Sequence, residues 1–354
     1  MSALRILHAV RSDGFGGVEQ FVLRLAVAQA ATGHSVHVIG GDPKRMEPGL
    51  RAAGVEHSAT PDTALAVARA VSSRVVSSRA DAVDVVNSHM TAADLAAAWA
   101  LARICETPAL VSTRHFASPR GRIGGVSIDT LLGRRIRAEI SISHAVARAI
   151  GRPSTVVHSG VPDAPMGVAR GRTVLIAQRL EAEKRTDLGI RAFAASRLAD
   201  RGWTLEIAGD GAERGTLEDL ARTLGVPVTF FGFRADLPSL FAHAGMLVAP
   251  CPVEGLGLTV LEAMSVGLPV IAAKGGGHTE ILEGLDPRAL YTPEDPDAAA
   301  VNLRSLADDG AGRATLGTAL RERQRADFSL AAQVARTDAV YRGVLGFSRR
   351  PTAQ

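Results

Sequence analysis

The segment MLVAPCPVEGLGLTVLEAMSVGLPVIAA (residues 246–273) contains one complete strand–loop–helix–strand pattern. It starts with the apolar run MLVAP and ends with the apolar run PVIAA, and both have the length of a strand. Between them, a loop with Gly255 and Gly257 leads into a helical stretch that ends at Gly267, because glycine is common just after the last residue of a helix. This order of elements predicts two parallel strands of one sheet.

The same alternation of strand and helix runs through the chain in two series. The first series has apolar runs at residues 4–10, 35–40, 84–88, 109–113, 139–143 and 155–159. The second series has such runs at residues 173–178, 204–209, 228–232, 246–250 and 269–273. Alanine-rich helical segments, such as 18–32 and 92–104, separate the strands. This pattern predicts an α/β protein with two doubly wound, Rossmann-like domains, each a parallel sheet covered by helices on both faces.

The stretch between the two series, residues 159–172, has three glycines, two prolines and no periodicity, which is typical of a linker. We therefore predict an N-terminal domain, a linker, a C-terminal domain and a C-terminal helix with its tail at residues 1–160, 161–172, 173–328 and 329–354. Ligands of open α/β sheets bind at the carboxyl ends of the strands, so we expect the two domains to face each other across a cleft. The helix after Phe328 would either complete the second domain or cross back to the first.

Composition argues against several classes of protein. The chain has 354 residues, of which 46% are hydrophobic, and this is enough for two domain cores. It has no apolar run of the roughly 20 residues that a membrane helix needs, and its first residues lack the pattern of a signal peptide. Cys105 and Cys251 have no metal-ligand spacing, which favours a cytoplasmic location. Aromatic residues make up only 4%, so no nucleic-acid partner is expected.

Two cations follow the first strand of the second series, in the segment AQRLEAEKRTDLGI (177–190). Arg179 and Lys184 are predicted to lie in the loop at the carboxyl end of that strand. A guanidinium and an ammonium fixed at this place suit a diphosphate. The alternative is that they are solvated charges that pair with Glu181 and Glu183.

Two glutamates lie eight residues apart in the opening segment. Glu254 begins the loop after the MLVAP strand and is placed to form a hydrogen bond with a hydroxylated ligand. Glu262 falls in the first turns of the next helix, where a carboxylate can accept two hydrogen bonds from a vicinal diol such as that of a ribose. The exposed N–H groups of residues 255–258 can also meet ligand oxygens. The structural alternative is that Glu262 compensates the helix dipole and Glu254 caps the helix.

A glycine-rich loop, SDGFGGVEQF (12–21), follows the first strand of the chain and leads into a helix. Helix N-termini bind anions, and the glycines would let the backbone approach one. Asp42 follows the second strand, where a ribose-binding acid is expected. The loop therefore also fits an NAD-dependent oxidoreductase, although G-x-G-G at residues 14–17 falls short of the dinucleotide pattern. The structural alternative is a tight turn with Glu19 as a dipole partner.

The segment VEGLGLTVLEAMSVGLPVIAAKGGGHTEIL (253–282) resembles the E-x7-E segment of retaining glycosyltransferases of family 4, which have the GT-B fold. The resemblance covers nearly the whole chain. Further matching segments occur in the family's order: GGVE (16–19), STRH (112–115), ISISHAVARAI (140–150), QRLEAEKRTDLGI (178–190), EIAGDGAERGTLEDLA (206–221) and FFGFRADLPSLFAHAGMLVAP (230–250). Each segment alone is a weak signal, whereas the ordered set is highly specific.

The resemblance implies an enzyme that moves a hexose-type sugar from a nucleotide-diphosphate sugar to an acceptor hydroxyl, with retention of anomeric configuration. The donor would carry UDP or GDP and lie mainly in the C-terminal domain, and the acceptor would lie mainly in the N-terminal domain. No cofactor and no metal are expected. No carboxylate is evidently placed as a nucleophile. The resemblance implies front-face attack, in which the leaving phosphate itself would accept the proton of the acceptor hydroxyl.

The implied site residues divide into catalytic and donor-binding groups. His115 would face the reaction centre from the N-terminal side as a positioner rather than a general base. Arg179 and Lys184 would neutralise the diphosphate, Glu254 would grip the donor sugar, and all three are implied as catalytic. Glu262 would hold the ribose. The implied donor-binding residues are Gly16, Gly17, Arg179, Lys184, Phe233, Arg234, Glu254, Gly255, Leu256, Gly257, Leu258 and Glu262.

Several features bear on metals, acceptors and rival functions. Gln178 replaces a small residue of the family, which leaves the geometry of the phosphate loop open. Asp295 and Asp297 form a D-x-D pair, but they precede an alanine-rich helix, so N-capping is predicted rather than metal binding. Six N-terminal arginines would form either a solvated face or a patch for an anionic or lipid-linked acceptor at the inner face of the membrane, namely Arg114, Arg120, Arg122, Arg134, Arg135 and Arg137. A GT-B nucleotide-sugar epimerase and a glycoside hydrolase are the further alternatives.

Overall fold

The computed structural model describes residues 2–76, 82–104, 107–166, 171–234 and 236–348. The chain divides into two compact units. The first comprises Met1–Ser159 together with Leu330–Gln354, and the second comprises Gly160–Ser329. Cys105 and part of the predicted linker, residues 167–170, lie outside the described residues.

Nine strands are found among the described residues of the first unit: β1 (Arg5–Val10), β2 (Ser35–Ile39), β3 (Glu56–Ser58), β4 (Val85–His89), β5 (Ala109–Arg114), β6 (Arg122–Ile123), β7 (Val126–Ser127), β8 (Ile136–Ser141) and β9 (Thr155–Val156). Its first helices are α1 (Gly17–Ala31), α2 (Pro43–Ala52), α3 (Ala64–Val76), α4 (Thr91–Leu101), α5 (Ile128–Leu132) and α6 (His144–Ile150). Seven strands form a parallel sheet in the order β3-β2-β1-β4-β5-β8-β9, and β6 and β7 form a separate antiparallel pair. The direction of winding reverses between β1 and β4.

Six strands are found among the described residues of the second unit: β10 (Thr173–Ala177), β11 (Thr204–Ala208), β12 (Val228–Gly232), β13 (Met246–Ala249), β14 (Val270–Ala273) and β15 (Leu290–Tyr291). Its helices are α7 (Thr186–Ser196), α8 (Arg214–Leu224), α9 (Leu237–His243), α10 (Leu258–Ser265), α11 (Gly276–Leu282), α12 (Pro296–Asp308) and α13 (Gly310–Asp327). The sheet is parallel in the order β12-β11-β10-β13-β14-β15, so its winding reverses between β10 and β13.

The predicted α/β class with two doubly wound, Rossmann-like sheets is confirmed. Every strand predicted from an apolar run is present, and the opening segment contains β13, α10 and β14, with the two strands parallel as predicted. The central strands β4, β5, β10, β13 and β14 are buried along their whole length, because helices cover both faces of each sheet. The strand β3 (Glu56–Ser58) was not predicted, because its polar residues give no apolar run.

The C-terminal helix α14 (Leu330–Ser348) belongs to the first unit, where it packs against α1, β5 and β8. Asp338 accepts a hydrogen bond from His34 at 2.7 Å. The Tyr341 hydroxyl accepts one from the Asn87 side chain at 2.7 Å. Of the two predicted positions for this helix, the return to the first domain is therefore the observed one. None of the described helices combines the length and the apolar character needed to cross a membrane.

Candidate functional site

The candidate site of the second unit is built on three neighbouring strands, β10, β13 and β14. The segments that follow their carboxyl ends carry Lys184, Glu254 and His278, respectively, and His278 lies in the first turn of α11. The winding of the sheet reverses between β10 and β13, and in open α/β sheets the crevice at such a reversal is the usual ligand site.

The loop after β10 is held in shape by Gln178. Its side-chain amide donates hydrogen bonds to the carbonyl oxygen of Lys184 and to the hydroxyl of Thr186, both at 2.9 Å. A single 3₁₀ turn ends at Lys184, and Arg185 then adopts a left-handed conformation with φ of 51°. Gln178, which replaces a small residue of the family, therefore fixes the loop that carries Lys184. This role was not predicted from the sequence.

Lys184 and Glu254 form a largely buried ion pair, with 2.8 Å between Nζ and Oε2. Burial alone would raise the pKa of Glu254, but the charge and the hydrogen bond of the Lys184 ammonium outweigh it and hold this pKa below its usual value. Burial would lower the pKa of Lys184, and the Glu254 carboxylate instead raises it. Both groups are therefore charged at neutral pH, in a position where a ligand phosphate or hydroxyl can compete for them.

Cys251 lies beside this pair, with its sulfur 4.0 Å from the Lys184 ammonium. Its thiol donates a hydrogen bond to the carbonyl oxygen of Glu183 at 3.5 Å. Burial, reinforced by the charge of Glu254, raises the pKa of the thiol. Cys251 is thus a buried neutral residue, and a reactive thiolate is not supported.

The loop of Glu254 rests on three consecutive glycines at the start of α11. A Cβ on Gly275 would lie 2.1 Å from the carbonyl oxygen of Pro252, and one on Gly276 would lie 2.2 Å from that of Glu254. A Cβ on Gly277 would lie 2.2 Å from the Cα of Leu256. These distances are far below a normal contact and involve backbone atoms, so no other residue type fits. The amide of Gly277 also donates to the carbonyl oxygen of Glu254 at 2.9 Å.

His278 directly follows these three glycines. It was not predicted from the sequence, although GGGH directly after a strand is a visible signal. Its Nδ1–H donates to the carbonyl oxygen of Ala273 at 3.3 Å. Burial lowers the pKa of His278 despite the nearby Glu254 carboxylate, so the ring is neutral. With the proton on Nδ1, Nε2 is an acceptor. A Cβ on Gly257 would lie 3.3 Å from that nitrogen, so Nε2 is close to the start of α10.

Gly257 is the N-cap residue of α10 and has φ of 107°, which favours glycine. The amide groups of the first turn, beginning at Leu258, lack intrahelical partners and carry partial positive charge. Gly255 is partly exposed, whereas the side chain of Leu256 is buried and anchors the loop. Glu262 is the fifth residue of α10 and is only partly buried.

Three other predicted residues of this unit are on the surface. Arg179 pairs with Glu183 at 2.8 Å, and both side chains are more than half exposed. The alternative of a solvated charge therefore describes Arg179 in this structure, but it does not describe Lys184. Phe233 is about half exposed, and Arg234 forms two hydrogen bonds with Asp236, at 2.7 and 2.6 Å.

The D-x-D pair lies at the start of α12. The carboxylate of Asp295 accepts a hydrogen bond from the amide of Ala298 at 2.9 Å. This is the predicted N-cap, so Asp295 has a structural function.

In the first unit, the glycine loop and Asp42 have structural partners. The amide of Gly16 donates to the Glu19 carboxylate at 2.8 Å, and Gly17 is the first residue of α1. The carboxylate of Asp42 accepts from the amide of Lys44 at 2.9 Å and caps α2. The oxidoreductase alternative is therefore not favoured, because the acid expected to bind a ribose is engaged as a helix cap.

His115 directly follows β5 and is buried at one end of a row of three imidazoles. Its Nε2 lies 3.1 Å from Nδ1 of His89, and Nε2 of His89 lies 3.0 Å from Nδ1 of His8. Nε2 of His8 lies 2.8 Å from the side-chain oxygen of Gln29. The row thus connects the ends of β5 and β4 with β1 and α1.

The three imidazoles are neutral at physiological pH. Burial lowers the pKa of His8 to about 4, against the opposing effects of Gln29 and Asp338. Burial, with a smaller contribution from Arg114, lowers the pKa of His115 to about 3. Burial also holds the pKa of His89 well below its usual value. A base this weak is a poor general base at neutral pH, which favours a positioning function for His115.

We expect the first unit to lose stability in mild acid. Unfolded histidines take up protons near pH 6.5, whereas His8 and His115 resist protonation in the fold, so the free energy of unfolding should fall from pH 6.5 towards pH 4. His8 alone corresponds to roughly 3 kcal/mol at pH 4. Urea unfolding in a Trp203→Phe background, monitored through Trp99, would measure this. His243→Gln, a change at an exposed histidine of the second unit, should leave the slope unaltered, and a flat profile would contradict the prediction.

The predicted arginine patch is only partly a surface. Arg120 is fully buried and pairs with Asp94 at 2.7 Å and Glu139 at 2.6 Å. Arg114 is also buried and pairs with Glu139 at 3.2 Å. These two arginines support the fold and are not available to an acceptor. The exposed members are Arg122, Arg134, Arg135 and Arg137.

Comparisons with known proteins give a consistent assignment. The model of the family described as Glycosyltransferase Family 4 matches residues 15–164, and the model described as Glycosyl transferases group 1 matches residues 168–323. The chain is 28% identical to the glycogen synthase of Mycobacterium tuberculosis, over 95% of this chain and 93% of that protein. It is 35% identical to a D-inositol 3-phosphate glycosyltransferase of Salinispora arenicola, over 45% of this chain and 38% of the relative.

Solved structures agree with the fold. The structure of HepE from Anabaena in complex with UDP has a TM-score of 0.78 and 21% identity, and the match covers 96% of this chain and all of HepE. Sucrose-phosphate synthase from Thermosynechococcus elongatus has a TM-score of 0.76 and 20% identity, over 97% of this chain and all of that one. With family models on both halves of the chain and these matches along its length, the chain belongs to the family 4 glycosyltransferases, enzymes of the GT-B fold that take their sugar from a nucleotide-sugar donor.

Proposed function

We propose that this enzyme transfers a hexose from a UDP- or GDP-sugar to an acceptor hydroxyl with retention of anomeric configuration, and that the second unit binds the donor. The observation that carries the proposal is the buried Lys184–Glu254 pair at the winding reversal of the second sheet. It places an ammonium and a carboxylate beside the start of a helix, which together suit a phosphate and a sugar hydroxyl.

In this proposal the donor phosphates displace part of the Lys184–Glu254 contact. Lys184 then neutralises the diphosphate, with Arg179 turning away from the exposed Glu183 to assist. Glu254 and the amides of residues 255–258 hold hydroxyls of the sugar, and Glu262 holds the ribose. Phe233 and Arg234 flank the base, and Gly16 and Gly17 approach the phosphates.

The chemistry of the proposed step depends on charge. The anomeric C–O bond to the diphosphate breaks, and negative charge grows on the leaving phosphate. Lys184 and the helix amides already contact the bound diphosphate at that stage and stabilise the growing charge. The new bond forms between the acceptor oxygen and the anomeric carbon on the same face of the sugar, and the acceptor proton passes to the leaving phosphate. His115, with a pKa lowered to about 3 by burial, positions the acceptor rather than removing its proton. No metal is needed in this scheme.

Names of similar proteins support a nucleotide-sugar donor without fixing its base. HepE was crystallised with UDP-glucose, and some curated relatives are mannosyltransferases. We therefore propose UDP or GDP as the nucleotide. The acceptor is proposed to be a hydroxylated molecule, anionic or lipid-linked, that meets the exposed arginines at the inner face of the membrane. The enzyme itself is proposed to be cytoplasmic.

We expect Glu262→Ala to weaken donor binding at least tenfold with the fold intact, because a ribose diol loses both of its hydrogen bonds. Calorimetric titration with UDP-glucose, UDP-N-acetylglucosamine, GDP-mannose and ADP-glucose would first identify the donor and then measure the loss. Glu322→Ala, at an exposed glutamate of the same unit, is the control. Equal donor affinity in the Glu262 variant would contradict the ribose assignment, and NAD binding without any sugar-nucleotide binding would contradict the function.

Nuclear magnetic resonance of the reaction mixture separates the proposed transferase from an epimerase. We expect donor consumption only when an acceptor is present, and a product with the anomeric configuration of the donor. Turnover of donor to an isomeric nucleotide sugar without acceptor would favour the epimerase. An inverted product would contradict retention.

A further inference from the structure

The row of imidazoles that ends at His115 continues beyond Gln29 to the C-terminal helix. The side-chain nitrogen of Gln29 lies 3.3 Å from one oxygen of Asp338, and Nε2 of His34 lies 2.7 Å from the other. Nδ1 of His34 accepts a hydrogen bond from the amide of Leu4 at 2.9 Å, so the His34 proton is on Nε2 and points to Asp338. From His115 to His34 the row therefore has five side-chain contacts. All of its groups are buried or nearly buried, and all belong to the first unit.

The carboxylate at the end of the row sets the direction of every other link. Asp338 can only accept, so the amide nitrogen of Gln29 must face it. The carbonyl oxygen of Gln29 then faces His8 and also can only accept. His8 must therefore donate from Nε2.

Each imidazole of the row is neutral and so carries one proton. His8 has its proton on Nε2, which leaves its Nδ1 as an acceptor for Nε2–H of His89. By the same argument, Nδ1 of His89 accepts from Nε2–H of His115. Nδ1 of His115 is then left with a lone pair, and among the described residues no hydrogen-bond partner is found for it.

We propose that Asp338 and Gln29 are positioning residues that fix the tautomer of His115 through His8 and His89, so that Nδ1 of His115 presents a lone pair to the hydroxyl proton of the acceptor. The proposal rests on the proposed function for the use of that lone pair, but the tautomer itself does not depend on it. It assigns the C-terminal helix a function in recognising an acceptor group that donates a hydrogen bond. The ring of Phe21 packs edge-on against that of His115, with 4.7 Å between the ring centres, and holds the imidazole in place.

The direct test is the ¹⁵N chemical shifts of the imidazoles in the unliganded wild-type enzyme at pH 7.5. We expect His8, His89 and His115 each to carry the proton on Nε2. A proton on Nδ1 of His115, or a charged imidazolium, would overturn the proposal. This reading needs no substrate, so it separates failure of the tautomer argument from failure of the proposed function.

Substitutions at Gln29 test whether this residue fixes the tautomer of His115 through His8 and His89. Gln29→Lys supplies only donors at this place and pairs with Asp338, so the whole row should reverse and place the proton of His115 on Nδ1. Gln29→Met removes the directing group without adding charge and should give a mixture of tautomers. In both variants we expect kcat to fall about tenfold or more with the donor KM unchanged. An unchanged His115 tautomer in Gln29→Met would overturn the proposal, whether or not Gln29→Lys folds.

The isosteric exchange Gln29→Glu with Asp338→Asn is the conservative rescue. The carboxylate introduced at position 29 accepts a hydrogen bond from His8. The amide introduced at position 338 donates to that carboxylate and accepts from His34. The hydrogen bonds between the imidazoles therefore keep their directions. We expect the wild-type tautomer and near wild-type kcat. The matched control is Ser141→Ala, which removes a hydrogen bond of 2.8 Å to Ser154 in the same unit but outside the row and should leave the tautomer unchanged. Loss of the tautomer in the exchange variant would contradict the proposal.

Discussion

Replacing Lys184 with methionine should lower kcat/KM for sugar transfer by about 10²- to 10³-fold, which is the typical effect of removing one preorganised group that stabilises developing negative charge. Methionine keeps much of the apolar stem of lysine and removes only the ammonium. Glu254 would then be largely buried without its cation, so its pKa should rise and its carboxylate should partly protonate. Initial rates with the donor identified by calorimetry would measure the effect.

Two further variants separate the loss of charge from damage to the fold. Lys184→Met should also reduce the free energy of unfolding of the second unit by about 2 kcal/mol, because it leaves a buried carboxylate unpaired. Adding Glu254→Gln should restore most of that stability but none of the activity. Lys274→Met, at an exposed lysine paired with Glu283, is the matched control and should be close to wild type. A Lys184→Met enzyme with full activity would rule out the proposed diphosphate function.

The second large effect is expected from Gly277→Ala. The added methyl group would lie 2.2 Å from the Cα of Leu256 and 2.6 Å from its carbonyl oxygen, and neither backbone atom can turn aside. The loop of Glu254 must therefore move by roughly 1 Å, and a displacement of that size can cost about 100-fold in rate. We expect donor affinity to fall at least tenfold, measured by calorimetry, and the second unit to lose about 1–3 kcal/mol of stability, measured through the buried Trp203.

Gly215→Ala is the matched control for this substitution. Gly215 lies in α8, and a Cβ there meets no atom within 4 Å, so alanine should be neutral or should stabilise the helix. If Gly277→Ala bound donor as the wild type does, a glycine at position 277 would not be needed to place the loop of Glu254.

Two residues of the candidate site were predicted from the sequence, but the contact between them was not. Lys184 and Glu254 were both predicted from their places after strand ends, but for separate ligand groups. Their ion pair forms because β10 and β13, which are not consecutive in the sequence, lie side by side in the sheet. Arg179 has the same kind of place in the sequence as Lys184, yet it is exposed and paired with Glu183. The difference arises from the 3₁₀ turn and the Gln178 hydrogen bonds, which have no periodic signal.

By itself, the sequence determined the α/β class, the two parallel sheets and most of their strands, because a buried parallel strand must be a continuous apolar run whatever surrounds it. The tertiary structure alone decided that α14 joins the first unit, that two of the six patch arginines are buried, and that three distant histidines form one row. Those outcomes depend on polar contacts such as Asp338 with His34, between residues far apart in the chain. Such contacts are selected by distance and direction in three dimensions, and neither leaves a pattern along the sequence.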